Sequence, residues 1–458
     1  MKYISTRGQM DIIDFQDAVM TGLATDGGLI LPESLPNITD QLYNLSQLNY
    51  IDLAFEIIKI FAPDIPEDNL KSIIDKSYAS FHHPEIAPSI KVDDIYILEL
   101  FHGPTLAFKD FALQLLGNLF AYILEHRGGC LNILGATSGD TGSAAIHGVR
   151  GKKNINIFVM HPEGRTSRIQ EKQMTSVLDP NVYNLAVDGT FDDCQSIMKK
   201  LFSDLPFKNK YSLGAVNSVN WARVLAQMVY YFYATFQIQK DSGSKSVRFS
   251  VPTGNFGDIL AGYLAKKMGL PIEQLILATN ENDILTRFFS TGIYEQSTVV
   301  PTVSPSMDIQ VASNFERYLY FKLNRDPKIL REIMENFNKS GCIKLPCDKG
   351  GMIDSLIVAG KATTDMTIEM IKYYHKKYDY LLDPHTAVGV CVAKEFSSAT
   401  PTICLATAHP AKFTDTIEST IGRPALHPVL ESLDGAPTRC DSIKNDCEAV
   451  KSYLINSI

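Results

Sequence analysis

No two cysteines of this chain stand as C-x-x-C, and none joins a histidine at zinc-binding spacing. That excludes a clustered structural metal and a dithiol redox motif, and no metal is expected. The eight cysteines are scattered from Cys130 to Cys447. Such spacing suits free thiols in a reducing compartment, not a disulfide framework. No apolar run reaches the ~18 residues of a membrane span. The start, Met1-Lys2-Tyr3-Ile4-Ser5-Thr6-Arg7, carries no apolar core of a signal peptide. The expectation is a cytoplasmic protein without membrane contact. Basic blocks are missing as well. The net charge is −8 and the pI about 5.7, whereas a nucleic-acid binder shows a basic face. Fixed-period repeats and low-complexity linkers are also lacking.

What remains is an ordinary globular composition: 458 residues, 45% hydrophobic and 21% charged. At roughly 150 residues per domain, two to four folded units are expected. Residues 1–90 read as a mainly helical N-terminal region, with helices over Tyr50–Phe61 and Leu70–Phe81 capping the rest. Residues 91–458 read as the catalytic region. There, apolar strands alternate with helices: strands near 95–100, 130–134, 154–160, 182–187, 246–251, 275–279 and 402–407, and helices after 109, 142, 192, 221, 259 and 387. This is the β-loop-α-β pattern of parallel sheets covered by helices, an α/β fold. Asp241-Ser242-Gly243-Ser244 is the best candidate for an internal break.

Five loops carry polar chemistry at strand ends. In Phe101-His102-Gly103-Pro104-Thr105-Leu106-Ala107-Phe108-Lys109-Asp110-Phe111 one lysine lies between two phenylalanines at a helix start. Apolar rings and the positive end of the helix dipole both lower an amine's pKa, and a neutral amine can attack an aldehyde or act as a base. A lysine stem packing on rings explains the same residues structurally. The loop Gly254-Asn255-Phe256-Gly257-Asp258 joins a strand to a helix. It matches neither the dinucleotide nor the triphosphate fingerprint, and it suits one phosphate on backbone amides or a plain glycine turn. Thr137, Ser138, Asp140 and Thr141 stand at another strand-to-helix junction. They can hold a carboxylate or simply cap the helix. Thr407 ends a strand, followed by His409 and Lys412; His161 and Arg165 follow another. Asp383-Pro384-His385-Thr386 reads as a capped helix start.

Together these loops resemble the threonine synthase family, pyridoxal-phosphate enzymes of the tryptophan-synthase-β-like (type II) fold. The matching stretches are His102–Phe111, Ala136–Gly142, His161–Arg165, Asn217–Arg223, Val251–Ala261, Ser304–Asn314 and Ala406–Phe413. The resemblance implies two parallel-sheet α/β subdomains with pyridoxal 5'-phosphate in the cleft between them. It makes Lys109 the Schiff-base lysine and proton carrier, with residues Gly254, Asn255, Phe256, Gly257 and Asp258 as the cofactor-phosphate cradle. Thr407 becomes the partner of the ring nitrogen. Thr137, Ser138, Asp140 and Thr141 become the substrate loop, and Arg165 and Lys412 candidates for the substrate phosphate. The implied reaction turns O-phospho-L-homoserine and water into L-threonine and phosphate, by γ-elimination and β-addition of water. Asp140 departs from the asparagine of many type II relatives, so it is not expected to face the cofactor's phenolic oxygen. Relatives with this N-terminal type suggest a monomer. A related lyase acting on another amino acid, or a non-catalytic paralogue, are the competing readings.

Overall fold

The structure is a computed structural model and describes residues 1–137, 139–347 and 351–458. The elements that carry the site are, in chain order, β1 (Ile95–Glu99), α1 (Lys109–Arg127), β2 (Leu131–Ala136), α2 (Asp140–Val149), α3 (Trp221–Ser242), β3 (Val247–Pro252), α4 (Gly257–Lys267), α5 (Pro384–Glu395) and β4 (Thr402–Ala406).

Two sheets organise the chain. The larger has six strands in the order Ile357–Lys361, Ile272–Thr279, β3, β4, β1, Ser89–Val92. All its pairs are parallel except the edge pair of β1 with Ser89–Val92. The second has five parallel strands in the order Asp441–Lys444, Val182–Asp188, Ile155–Pro162, β2, Leu213–Gly214. Their central strands are buried along most of their length because helices cover both faces, and polar residues such as Arg248 and Ser250 of β3 are buried with them. The loops after β1, β2, β3 and β4 leave from carboxyl ends, where ligands bind in open α/β sheets.

Apolar residues on every side of α3 require burial all round, and 16 of its residues are buried. Asn220 caps its start by accepting the Ala222 amide, and Gly243 ends it at φ 69°. The Asp241–Ser244 segment is therefore the cap of a helix that turns directly into β3, not a break. α1 likewise buries most of its length and stops at Gly128, φ 78°. It crosses α2 at unusually short range: a Cβ added to Gly117 would lie 2.0 Å from the Gly148 carbonyl oxygen. Only glycine at both positions permits this approach.

The N-terminal helices Phe15–Thr21, Tyr50–Phe61 and Glu67–Tyr78 pack on α3 and α1. Rings of Tyr3, Phe15, Phe61 and Trp221 meet there at centroid distances of 5.9–6.2 Å. The Tyr3 hydroxyl donates to the Phe61 carbonyl at 2.6 Å. The helix expected over Leu70–Phe81 begins earlier, after Pro66, because Glu67 and Asp68 favour a first turn. Among the described residues no helix is long and apolar enough to cross a membrane.

Candidate active site

Lys109 is the first residue of α1, and its loop is braced from within. Asp110 accepts both the amide and the hydroxyl of Thr105 at 2.8 Å. Burial raises the Asp110 carboxyl to about 6, against the pull of those hydrogen bonds. Leu106 takes a left-handed backbone at φ 60°. On the other side, the Phe108 amide donates to the Thr407 carbonyl at 2.9 Å, and Ala107 bridges Ala408. The lysine loop is thereby bound to the end of β4.

The Lys109 Nζ lies 3.4 Å from the Ser306 hydroxyl and 3.7 Å from Asp140 Oδ2. Burial pushes this amine below its ordinary value; Asp140 opposes the fall, and Lys412 and Arg223 reinforce it. Burial, the surrounding expected from the sequence, is the first cause of the lowered amine, and two distant cations add to it. The Phe111 ring belongs to a cluster with Tyr50, Tyr78, Phe81 and Tyr230 in the helical core. The electrostatic pressure on Lys109 comes from two cations distant in sequence.

One of them, Lys412, is 1% exposed. Its ammonium donates to the Thr105 carbonyl at 2.5 Å and to Gln173 Oε1 at 2.8 Å, and pairs with Asp140 Oδ1 at 3.2 Å. Three partners occupy the three N–H bonds of an ammonium. With these three partners in place Lys412 has no donor turned to a further anion. Asp140 also accepts from Gln170 Nε2 at 2.8 Å. Burial would raise its carboxyl, but Lys412 and Lys109 hold it well below the usual carboxylate range. An ionised aspartate here balances two lysines, which explains why asparagine is absent.

The loop after β3 approaches from the opposite side. Gly254 carries no Cβ because one would stand 2.7 Å from the Ser306 carbonyl oxygen. Phe256 adopts φ 63° and caps α4 without a side-chain hydrogen bond. Among the described residues the amides of Gly254, Asn255, Phe256 and Gly257 have no acceptor. Asn255 is held from behind: its carbonyl accepts the Asn314 amide at 3.0 Å and its Oδ1 the Ser313 hydroxyl at 3.1 Å. Asp258 turns the other way. Its carboxylate accepts the hydroxyls of Tyr230 at 2.7 Å and Tyr231 at 2.9 Å, and burial raises it to about 6. Its side chain is thus removed from the cradle, where a carboxylate would repel a phosphate; only its backbone stays at the helix start.

Thr407 is 6% exposed. Its amide donates to the Thr386 hydroxyl at 3.3 Å, and its own hydroxyl has no partner among the described residues. In the loop after β2, Thr137 is spent on the turn: its oxygen accepts the amides of Gly139 at 3.0 Å and Gly142 at 2.9 Å. Thr141 is half-buried in the first turn of α2, and Ser138 lies outside the described residues. Arg165 is exposed in the turn after Ile155–Pro162, with its charge felt at Asp193. That position does not join it to Lys109.

The second cation whose charge is felt at Lys109 was given no role by sequence reasoning. Arg223 is 6% exposed in the first turn of α3, and its Nε has no hydrogen-bond partner. Burial pulls its guanidinium down to about 10. No carboxylate pairs with it among the described residues. A buried, unpaired guanidinium calls for an anion. Its only sequence signal was its place in the stretch Asn217–Arg223.

An amine of lowered pKa, a row of free amides at a helix start and an unpartnered hydroxyl at a strand end are therefore linked through Ser306 and the Phe108–Thr407 hydrogen bond. These groups fit an aldehyde, a phosphate and a ring nitrogen respectively.

Comparison with known proteins agrees. The family model "Threonine synthase N terminus" matches residues 2–78, "Pyridoxal-phosphate dependent enzyme" residues 81–326, and "Threonine synthase, C-terminal" residues 386–454. The chain is 46% identical over 461 residues to threonine synthase from Pseudomonas aeruginosa, covering 99% of this chain and 98% of that one. A crystal structure of threonine synthase from Brucella melitensis with bound pyridoxal phosphate superposes with a TM-score of 0.96 at 44% identity, covering 100% and 99% of the two chains. The yeast enzyme superposes with a TM-score of 0.94 at 43% identity, covering 100% and 98%. Pyridoxal 5'-phosphate is the cofactor of this fold, and the chain belongs to the threonine synthase family.

Proposed function

We propose that this protein forms L-threonine and phosphate from O-phospho-L-homoserine and water, the last step of threonine biosynthesis. The observation that supports this most is the convergence on Lys109 of a buried carboxylate, an unpaired guanidinium and the loop of free amides. Pyridoxal phosphate, when bound, supplies an electron sink that acidifies the bonds to the substrate's Cα and Cβ protons. The residues of the chain do the rest. Lys109 Nζ, neutral through burial, carries one proton at a time. It takes the Cα proton and gives it up to the departing phosphate, then takes a Cβ proton and delivers it to Cγ once phosphate has left. As water adds its hydroxide at Cβ, the remaining proton is returned to Cα. Asp140, at 3.7 Å, stabilises the ammonium that forms each time. The amides of Gly254, Asn255, Phe256 and Gly257 hold the cofactor phosphate, and the Thr407 hydroxyl meets the ring nitrogen. A neutral hydroxyl there leaves that nitrogen uncharged, which moderates the sink and favours elimination and replacement. The amides of Asp140 and Thr141 at the start of α2, which have no acceptor among the described residues, receive the substrate carboxylate. Arg223 receives the substrate phosphate, in place of Arg165 and Lys412.

The enzyme acts as a cytoplasmic monomer on a free small molecule, which sedimentation of the purified protein checks. The reaction itself is tested by quantifying threonine and phosphate released from O-phospho-L-homoserine. Equal amounts are expected; a keto acid in place of threonine would assign the chain to a related lyase. Lys109→Ala is expected to abolish turnover, and measurable residual activity would remove both roles given to this amine.

A further inference from the structure

The start of α5 holds more than a helix cap. Asp383 accepts the amides of His385 at 2.9 Å and Thr386 at 3.3 Å, as a cap does. The same Oδ1 also meets Nδ1 of the His385 ring at 3.0 Å. The far ring nitrogen, Nε2, accepts the backbone N–H of Ser306 at 3.2 Å. A nitrogen that accepts an N–H carries a lone pair, so the ring is neutral with its proton on Nδ1, directed at Asp383. Both side chains are buried, and the Phe413 ring packs on the imidazole at 4.9 Å.

Ser306 lies in the short turn Pro305–Met307. Its other contacts are with the site. The hydroxyl is 3.4 Å from Lys109 Nζ, and the carbonyl oxygen is the atom that a Cβ on Gly254 would strike. The flank of this turn is tied down elsewhere: Asp308 accepts from Asn280 at 2.7 Å, Asn282 at 3.1 Å and Thr302 at 2.7 Å. None of those bonds reaches Ser306. The imidazole of His385 is what fixes the backbone of this residue.

We infer that His385 is a positioning residue for the reaction. Its Nε2 holds the Ser306 turn, and that turn spaces the Lys109 amine against the phosphate-holding amides at Gly254. Asp383 selects the tautomer that makes this possible. The inference rests on the cofactor reading of the site. It concerns a histidine that touches neither the amine nor the amides.

Two amide substitutions separate positioning from mere packing. In His385→Gln the side-chain oxygen reaches the place of Nε2; in His385→Asn it reaches only that of Nδ1. The measurements are the dissociation constant of pyridoxal phosphate, by absorbance titration of the apo-enzyme, and kcat and KM for O-phospho-L-homoserine. His385→Asn is expected to weaken cofactor binding about 10-fold and lower kcat about 10-fold with KM within about twofold, while His385→Gln stays within about threefold of the parent. Equal behaviour of the two variants, intact or impaired, overturns the inference. Ser306→Ala keeps the N–H and needs no refolding of α5. It is expected to lower kcat and to leave cofactor affinity unchanged; a matching loss of affinity overturns the inference too. The cofactor titration reads positioning whether or not threonine is the product, so failure of the substrate assignment is seen separately.

Discussion

Asp140 Oδ1 stands 3.2 Å from Lys412 Nζ, with both side chains buried, while its other oxygen faces Lys109 at 3.7 Å. One carboxylate thus serves a fully bonded lysine and a reactive one. Asp140→Asn keeps the shape and removes the charge. A buried ammonium left without its anion costs about 3–5 kcal/mol, so urea unfolding at pH 7 is expected to show a loss of that order. Since Asp140 raises the Lys109 amine, the variant's Lys109 is expected to titrate at lower pH. Acylation of Lys109 in the apo-enzyme as a function of pH reads this directly. An unchanged titration would remove Asp140 from the tuning of the amine.

Arg223→Met should separate the two phosphates. The guanidinium has no carboxylate partner and is placed here against the substrate's leaving group. Loss of a buried charge-assisted contact is expected to lower kcat/KM by about 100-fold or more. Cofactor affinity is expected to stay within about threefold, because the amides at Gly254 hold that phosphate. If absorbance titration instead finds the cofactor lost, Arg223 belongs to the cradle.

Asp258 gives a pH signature of stability. Its carboxyl is raised from 3.8 to about 6 by burial, so the folded protein holds this proton more tightly than the unfolded chain. Stability from this group therefore increases as pH falls from 6 towards 4, and is lost as pH rises through that window. Two units correspond to roughly 3 kcal/mol. Asp258→Asn still offers an oxygen to Tyr230 and Tyr231 without the charge. Urea unfolding at pH 4.5 and 8 is expected to show a higher stability for the variant at pH 8 and a smaller difference between the two pH values. Asp110, raised to about 6 in the same way, remains in both proteins and cancels in the comparison.

Gly117→Ala tests the crossing of α1 and α2. The added methyl would lie 2.0 Å from the Gly148 carbonyl oxygen, a backbone atom that cannot rotate away. Overpacking of this kind costs about 1–3 kcal/mol or more, despite alanine's better helix propensity. Thermal unfolding that shows a gain in stability would contradict the described crossing.

The residues legible in the sequence are those whose role is local. Lys109, Gly254–Gly257 and Thr407 each follow a strand and precede a helix or turn, so spacing alone puts them at a sheet edge. The strands are legible because both faces are covered, so most of their residues are apolar. Direction of side chains was not legible. Asp258 sits beside the cradle in sequence but turns to two tyrosines of α3. Lys412 has the look of a free cation, and its partners Thr105, Gln173 and Asp140 all lie more than 200 residues away. Arg165 follows a strand just as the site loops do, but its loop opens to solvent. Arg223, Ser306 and His385 lie in stretches the sequence singles out, but nothing local gives their roles, because each depends on neighbours brought in by folding.

The glycine crossing of α1 and α2 has a consequence for how this protein can diverge. α1 begins with Lys109 and α2 with Asp140, and the two helices meet backbone to backbone. Base and counter-charge are thus mounted on one rigid girder. Mutations in surrounding loops can reshape the room for a new amino acid without detuning the proton transfer. Chemistry and selectivity are written on separable parts of the chain, and drift in the second leaves the first intact.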